Sequence, residues 1–240
     1  MKKLCAFIFF GLCLQGFSNP RDPETDSLYD QLTRTFSTIT NVEHFGESLI
    51  PGIYEVIFNG KTIYYYPEKE ILVFGEMFNK EGVSLTEISR QQNSTKRKLE
   101  DFDYSKGLVM GDEDGVPVVE ILNPDCFYCR KFDEYITLKS QSTRIKRIVF
   151  FNTDTPEARR KANHIFCAEK PEEALTEVMH GEVSDLLTCD QAEKRSQDHQ
   201  AEIRKLDISS TPSFILGGAL VRGFNEGVID EYIESTASNY

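Results

Sequence analysis

The sequence predicts two domains in series: a small α+β domain, then an α/β domain whose mixed central sheet carries a helical insertion. Three observations predict it. A hairpin signal, Asn59-Gly60, lies between two strand-like runs early in the chain. A polar helix, capped at Ser84, separates that part from the rest. From about Asp103, apolar runs of strand length alternate with segments of helical period. A chain of 240 residues with 40% apolar and 11% aromatic content can fill two modest cores. The boundaries fall at 1–18 for a leader, 19–80 for the first domain, 81–102 for a helical linker and 103–240 for the second domain.

Each element has its own local reason. Lys2-Lys3, the apolar run Leu4 to Leu14 and the small residues Gly16 and Ser18 read as a cleavable export signal, with cleavage expected after Ser18. The run is too short for a permanent membrane anchor, which needs about 20 residues. Leu28, Leu32, Phe36 and Ile39 recur at helical spacing. Ile53 to Phe58 and Lys61 to Tyr66 flank Asn59-Gly60, both residues that tolerate the positive φ of a type I′ turn. Ile71 to Phe78 supplies a third strand. Ser84-Leu85-Thr86-Glu87 is a capping box, opening a helix that runs to about Leu99. Its thin apolar stripe suits a connector better than a core helix.

In the second domain, Val116 to Leu122 is an apolar strand, Asn123-Pro124-Asp125 a break, and Arg130 to Ser140 a helical segment. Ile145 to Phe151 is another strand, and Thr155-Pro156-Glu157 starts a helix with Pro at its first position. Residues 156–206 are mostly helical in pattern, interrupted at Lys170-Pro171 and Gly181. Ser213 to Leu216, Gly217-Gly218 and Ala219 to Phe224 form a closing hairpin, and Asn225 caps a last helix.

Charge excludes one broad class of function. The net charge of −12 becomes −14 when Lys2 and Lys3 leave with the leader. Nucleic-acid phosphates need clustered Lys and Arg, and the basic run Lys96-Arg97-Lys98 is followed by Glu100-Asp101, which reads as a solvated helix face. Export also removes Cys5 and Cys13 and leaves four cysteines in an oxidising compartment, where pairing is expected.

Cys126-Phe127-Tyr128-Cys129 carries the chemistry. The motif follows a strand and opens a helix, so unpaired N–H groups and the positive end of the helix dipole favour a thiolate at Cys126. Cys126 is then the exposed nucleophile and Cys129, one turn in, the buried resolving thiol. C-x-x-C alone also fits an inert disulfide or half a zinc site. Thr211-Pro212, at the start of the apolar run Ser213-Phe214-Ile215-Leu216, tips the reading towards redox chemistry.

This arrangement resembles the thioredoxin fold, in which a cis X-Pro bond faces the reactive cysteine and presents backbone groups to an extended substrate. The strand-rich segment around Gly52-Ile53-Tyr54-Glu55-Val56, the polar helix, the C-x-x-C and a second pair, Cys167 and Cys189, narrow the resemblance to the DsbC/DsbG family of periplasmic thiol:disulfide isomerases, closest to DsbC. The resemblance implies a cystatin-like N-terminal dimerisation domain and a thioredoxin-like catalytic domain with a helical insertion. It also implies a V-shaped homodimer that isomerises wrong disulfides in misfolded exported proteins, chaperone activity, and a membrane thiol reductase of DsbD type. No metal or organic cofactor is required.

In that family Cys167 and Cys189 match a structural disulfide. A metal site using His164 and His199 is the rival reading, while His44 and His180 read as surface or turn residues. Glu120 is the one charge in its strand; it reads as an edge position or as a buried acid that exchanges a proton with the resolving thiol. Phe127 departs from the Gly or Pro common at that position in the family. The run Tyr64-Tyr65-Tyr66, with Phe74 and Phe78, reads as core and dimer packing, or as a surface for unfolded chains. Two other functions compete: a DsbA-like oxidase, and a chaperone or assembly factor of a secretion or conjugation apparatus. The C-terminal Ala237-Ser238-Asn239-Tyr240 carries no endoplasmic-reticulum retrieval signal.

Overall fold

The structure, a computed structural model, describes residues 23–237. The leader with Cys5 and Cys13, and Ser238-Asn239-Tyr240, lie outside the described residues. The chain divides into two compact units, one up to Arg90 and one from Gln91.

In the first unit, α1 (Pro23–Thr35) precedes a four-stranded antiparallel sheet of β1 (Val42–Glu47), β2 (Tyr54–Phe58), β3 (Lys61–Tyr66) and β4 (Ile71–Phe74), in that spatial order. Asn59 and Gly60 both have positive φ, so the β2–β3 hairpin closes on the tight turn expected of them, with Phe58 paired to Lys61. Leu32 of α1 packs on Val56, Ile63 and Tyr65, all buried. The helix stops before Phe36 and Ile39, which pack on the same cluster from the following turn. β4 is shorter than its apolar pattern: it ends at Phe74, and Gly75 at φ +155° follows. Tyr64 and Tyr65 are buried, whereas Phe74 is 70% exposed and Phe78 is also open to solvent.

α2 (Leu85–Glu100) contains the division between the units. Ser84 caps it, its hydroxyl accepting from the Glu87 N–H. Within the first unit, the Thr86 hydroxyl bonds the Tyr64 hydroxyl at 2.6 Å, and Ser89 donates to the buried Glu55 at 2.7 Å.

The second unit is built on a five-stranded sheet of β5 (Leu108–Gly111), β6 (Val116–Leu122), β7 (Ile145–Phe151), β8 (Ser213–Leu216) and β9 (Ala219–Arg222). The spatial order is β5-β7-β6-β8-β9, with β6 and β7 parallel and the other neighbours antiparallel. Helix α3 (Phe127–Lys139) joins β6 to β7, the crossover that a parallel pair requires. Between β7 and β8 lie α4 (Pro156–Cys167), α5 (Pro171–His180) and α6 (Ala192–Lys205), and α7 (Glu226–Ala237) closes the chain.

The sheet is covered on both faces, so β6 reads as a continuous apolar run. Val118 and Leu122 point into the cluster formed with Phe132 and Ile136 of α3. Val119 and Ile121 point the other way, towards Leu99, Phe102, Ile203 and Leu206. Alternation along one strand thus decides which residues lie beneath α3, and Glu120 shares the parity of Val118 and Leu122.

Candidate active site

The end of β6 and the start of α3 set the site. Asn123 makes a local turn, its side chain accepting from the Asp125 N–H at 2.8 Å and its carbonyl from the Cys126 N–H at 3.0 Å. Cys126 then occupies the N-cap of α3 in an extended conformation, and its side chain makes no capping hydrogen bond. Its sulfur is partly exposed and donates to the Thr211 carbonyl at 3.2 Å. The Thr211-Pro212 bond is cis and leads directly into β8. Strand pairing of β6 with β8 therefore brings two distant segments of sequence to one point.

The two thiols differ sharply. Burial pushes the Cys126 thiol up, but side-chain hydrogen bonding with Thr211 and Cys129 and the N–H groups of Cys129 and Tyr128 outweigh it, holding Cys126 below the ordinary thiol value. Cys129 is 0% exposed, among Leu122 and Phe132, and accepts from the Asn123 N–H at 3.4 Å. Burial, reinforced by the neighbouring Cys126, pushes its pKa far up. Hydrogen bonding thus favours the thiolate at one sulfur, and burial favours the thiol at the other. Phe127 and Tyr128, 55% and 64% exposed, flank the pair as an open aromatic patch.

Glu120 is 0% exposed, so it is not at an edge. Both its oxygens accept from Arg147 of β7, at 2.8 and 2.9 Å, and Arg147 also donates to Asp133 of α3 at 2.9 Å. Thr176 of α5 donates to the other Asp133 oxygen at 3.0 Å. Burial raises the Glu120 pKa; Arg147 opposes it, but Asp133 draws on the same guanidinium. The carboxylate is buried, as one of the two sequence readings had it, and its ion pair ties β6, β7, α3 and α5 together. Sequence reasoning missed Arg147 and Asp133. The available signal was an arginine inside the apolar run Ile145 to Phe151, which needs an acid on an adjacent strand or helix.

Cys167 and Cys189 form a disulfide with Cα atoms 5.7 Å apart, fastening the end of α4 to the segment before α6. Both sulfurs are thus engaged, and the two histidines read as rival metal ligands make backbone bonds: His164 Nδ1 accepts from the Leu187 N–H, and His199 Nδ1 from the Phe151 N–H. His180 ends α5 at the surface, as the sequence reading had it, and His44 lies in β1.

A cavity of about 800 Å³ runs from Gly111 and Ile145 to Arg147. Ile145 pairs with Val116, so this cavity opens at the end of the sheet opposite Leu122 and Cys126, away from the thiols. Among the described residues, no helix is long and apolar enough to cross a membrane.

Residues 19–87 match the disulfide bond isomerase protein N-terminal domain. Over that stretch the chain is similar to the N-terminal domain of DsbC-type isomerases. No curated protein matches it over its sequence. Among solved structures, a linker-deletion mutant of ScsC from Proteus mirabilis superposes with a TM-score of 0.53 at 16% identity, covering 64% of this chain and 88% of that one. ScsC from the same organism in a transitional conformation gives 0.51 at 14% identity, covering 64% and 87%. At such identities the likeness is one of fold.

Proposed function

We propose that this chain is an exported thiol:disulfide interchange protein that reduces and reshuffles wrong disulfides through Cys126 and Cys129. The observation that carries it is the pairing of a stabilised thiolate at the α3 N-cap with a buried thiol one turn on, both against Thr211-Pro212. In this reading the Cys126 thiolate attacks a substrate disulfide, a Cys126–substrate bond forms, and one substrate sulfur leaves as thiolate. A second substrate thiolate can then displace Cys126, which reshuffles the disulfide with no net change of electrons. Alternatively Cys129 gives its proton to the departing substrate sulfur and displaces the substrate, leaving it reduced by two electrons and the enzyme as a Cys126–Cys129 disulfide. A membrane thiol reductase of DsbD type restores the dithiol.

The domain roles belong to the same reading. Residues 1–18 direct export to the periplasm, 19–80 dimerise, 81–102 link, and 103–240 catalyse. Cys167–Cys189 is structural, and Thr211-Pro212 offers backbone groups to an extended substrate. The match of 19–87 to the isomerase N-terminal domain supports isomerase over oxidase. The test is refolding of a substrate with scrambled disulfides: Cys126→Ser should abolish recovery while the protein stays folded. Full recovery with Cys126→Ser would refute the assignment. Accumulation of the Cys126–Cys129 disulfide as the steady-state form in the cell would favour the oxidase.

A further inference from the structure

Beside the reactive pair, a second cavity of about 230 Å³ opens between the start of α3 and the end of α5, with Cys126 in its wall. Met179 gives it an apolar lining, and three basic side chains, Arg130, Lys161 and His180, surround it. Two of the three are engaged. Lys161 pairs with Asp125, and His180 lies 4.0 Å from Glu134. Arg130 is different: its guanidinium lies over the Phe127 ring at 5.1 Å and, among the described residues, makes no close ion pair, acting on the Glu134 carboxylate only from further off. Stacking holds a guanidinium by its face and leaves its edge, with the N–H donors, for a planar acceptor such as a carboxylate. In a chain of net charge −12, a cation without a close ion pair beside the nucleophile is a local reversal of sign.

We propose that this cavity is a subsite for a carboxylate carried next to the disulfide that Cys126 attacks, namely an acidic residue flanking a substrate cysteine in a polypeptide. The proposal rests on the exchange reading and deepens it by naming a preferred substrate class. The chemical step is unchanged: the Cys126–substrate bond forms, the substrate disulfide breaks and its other sulfur leaves as thiolate. Arg130 acts only by holding the neighbouring carboxylate while this happens.

The test uses disulfide-bridged peptides that differ only in the residue beside the cysteine: Glu, Gln or Lys. Wild-type protein should reduce the Glu peptide about three- to five-fold faster than the Gln peptide at low salt, the range of a partly exposed ion pair, with the Lys peptide slowest. Arg130→Gln should bring the Glu-to-Gln ratio close to one, as should salt near molar concentration, which screens such pairs. Equal Glu and Gln rates in wild type, or a Glu preference that survives Arg130→Gln, would overturn the subsite and leave the exchange reading intact. Faster reduction of oxidised glutathione than of the Glu peptide would overturn the polypeptide assignment in favour of a small acidic thiol. A second measurement does not depend on exchange. The ratio of Cys126 alkylation by iodoacetate to that by iodoacetamide cancels the thiolate fraction and reports local charge. It should fall by a similar factor in Arg130→Gln, and an unchanged ratio would sink the proposal. If no peptide is reduced while the alkylation ratio still falls, the exchange reading fails and the cationic subsite stands.

Discussion

The second unit holds two cysteine pairs, and only their surroundings distinguish them. Cys126 and Cys129 begin a helix, one half-open and one sealed beneath it, and both are free. Cys167 and Cys189 join the end of one helix to an irregular segment 22 positions on, and are bonded to each other. The first pair has helix N–H groups and Thr211 on its outer sulfur, so its thiolate is stabilised. The second pair is fixed between α4 and the chain entering α6. Position relative to a helix end, more than the element sulfur, separates a pair of free thiols with one stabilised thiolate from a pair bonded to each other.

The comparison can be strained from below the free pair. Arg147 anchors α3 through Asp133, and its loss leaves two buried carboxylates without a cation. Arg147→Met should cost about 3–5 kcal/mol, the usual penalty for stranding a buried charge. Urea unfolding would measure it, and a loss below about 1 kcal/mol would show that the network is dispensable to the fold beneath the thiols.

Removing the staple tests the other half. Cys167→Ala with Cys189→Ala should lower stability by about 3 kcal/mol, the value for freeing a loop of this size, while the alkylation rate of Cys126 stays within about two-fold. Peptide mapping after gentle stepwise reduction adds a direct comparison. Cys126 should label first at mildly acidic pH and Cys167 and Cys189 last; early labelling of the latter two would break the distinction.

A smaller effect comes from His199, buried beside Phe150, Phe151 and Phe166. Its Nε2–H points to the Lys106 carbonyl at 2.9 Å while Nδ1 accepts from Phe151. Burial, with Arg195 adding to it, lowers the imidazole pKa from 6.5 to about 4 against the opposing Lys106 carbonyl. The unfolded chain therefore binds a proton below about pH 6.5 that the folded chain refuses until about pH 4. Stability falls as pH drops through that window, by about 2 kcal/mol between pH 7.5 and pH 5 from this group. Denaturation curves should show this slope in wild type and lose it in His199→Gln. A slope unchanged by the substitution would place its origin elsewhere.

What was legible in the sequence was local. Asn59-Gly60 shows its turn because two adjacent residues need positive φ, and Thr155-Pro156 shows its helix because the cap and the proline are neighbours: the Thr155 hydroxyl accepts from the Ala158 N–H. The C-x-x-C at a strand-to-helix junction is local in the same sense. β5 was not foreseen. Four residues, Leu108 to Gly111, alternate buried and exposed with nothing nearby to mark them, and become a strand by pairing with β7 across the helix α3. The Glu120–Arg147–Asp133 network was hidden for the same reason, since it exists only once β6, β7 and α3 are neighbours. Phe74 carries the apolar signature of a covered position, yet its strand lies at the end of the sheet order with no further strand beyond it among the described residues.

The unfilled cap of α3 has one more consequence. Helix starts favour Ser, Thr, Asp or Asn, whose oxygens take up an orphan N–H, and the lack of such a cap costs about 1 kcal/mol. Cys126 holds that position without making the bond. The N–H groups that a serine or aspartate would satisfy are the ones left to receive a sulfur anion. Folding and chemistry thus make opposite demands on one residue, and the fold tolerates a slightly loose helix start at the point where reactivity requires it.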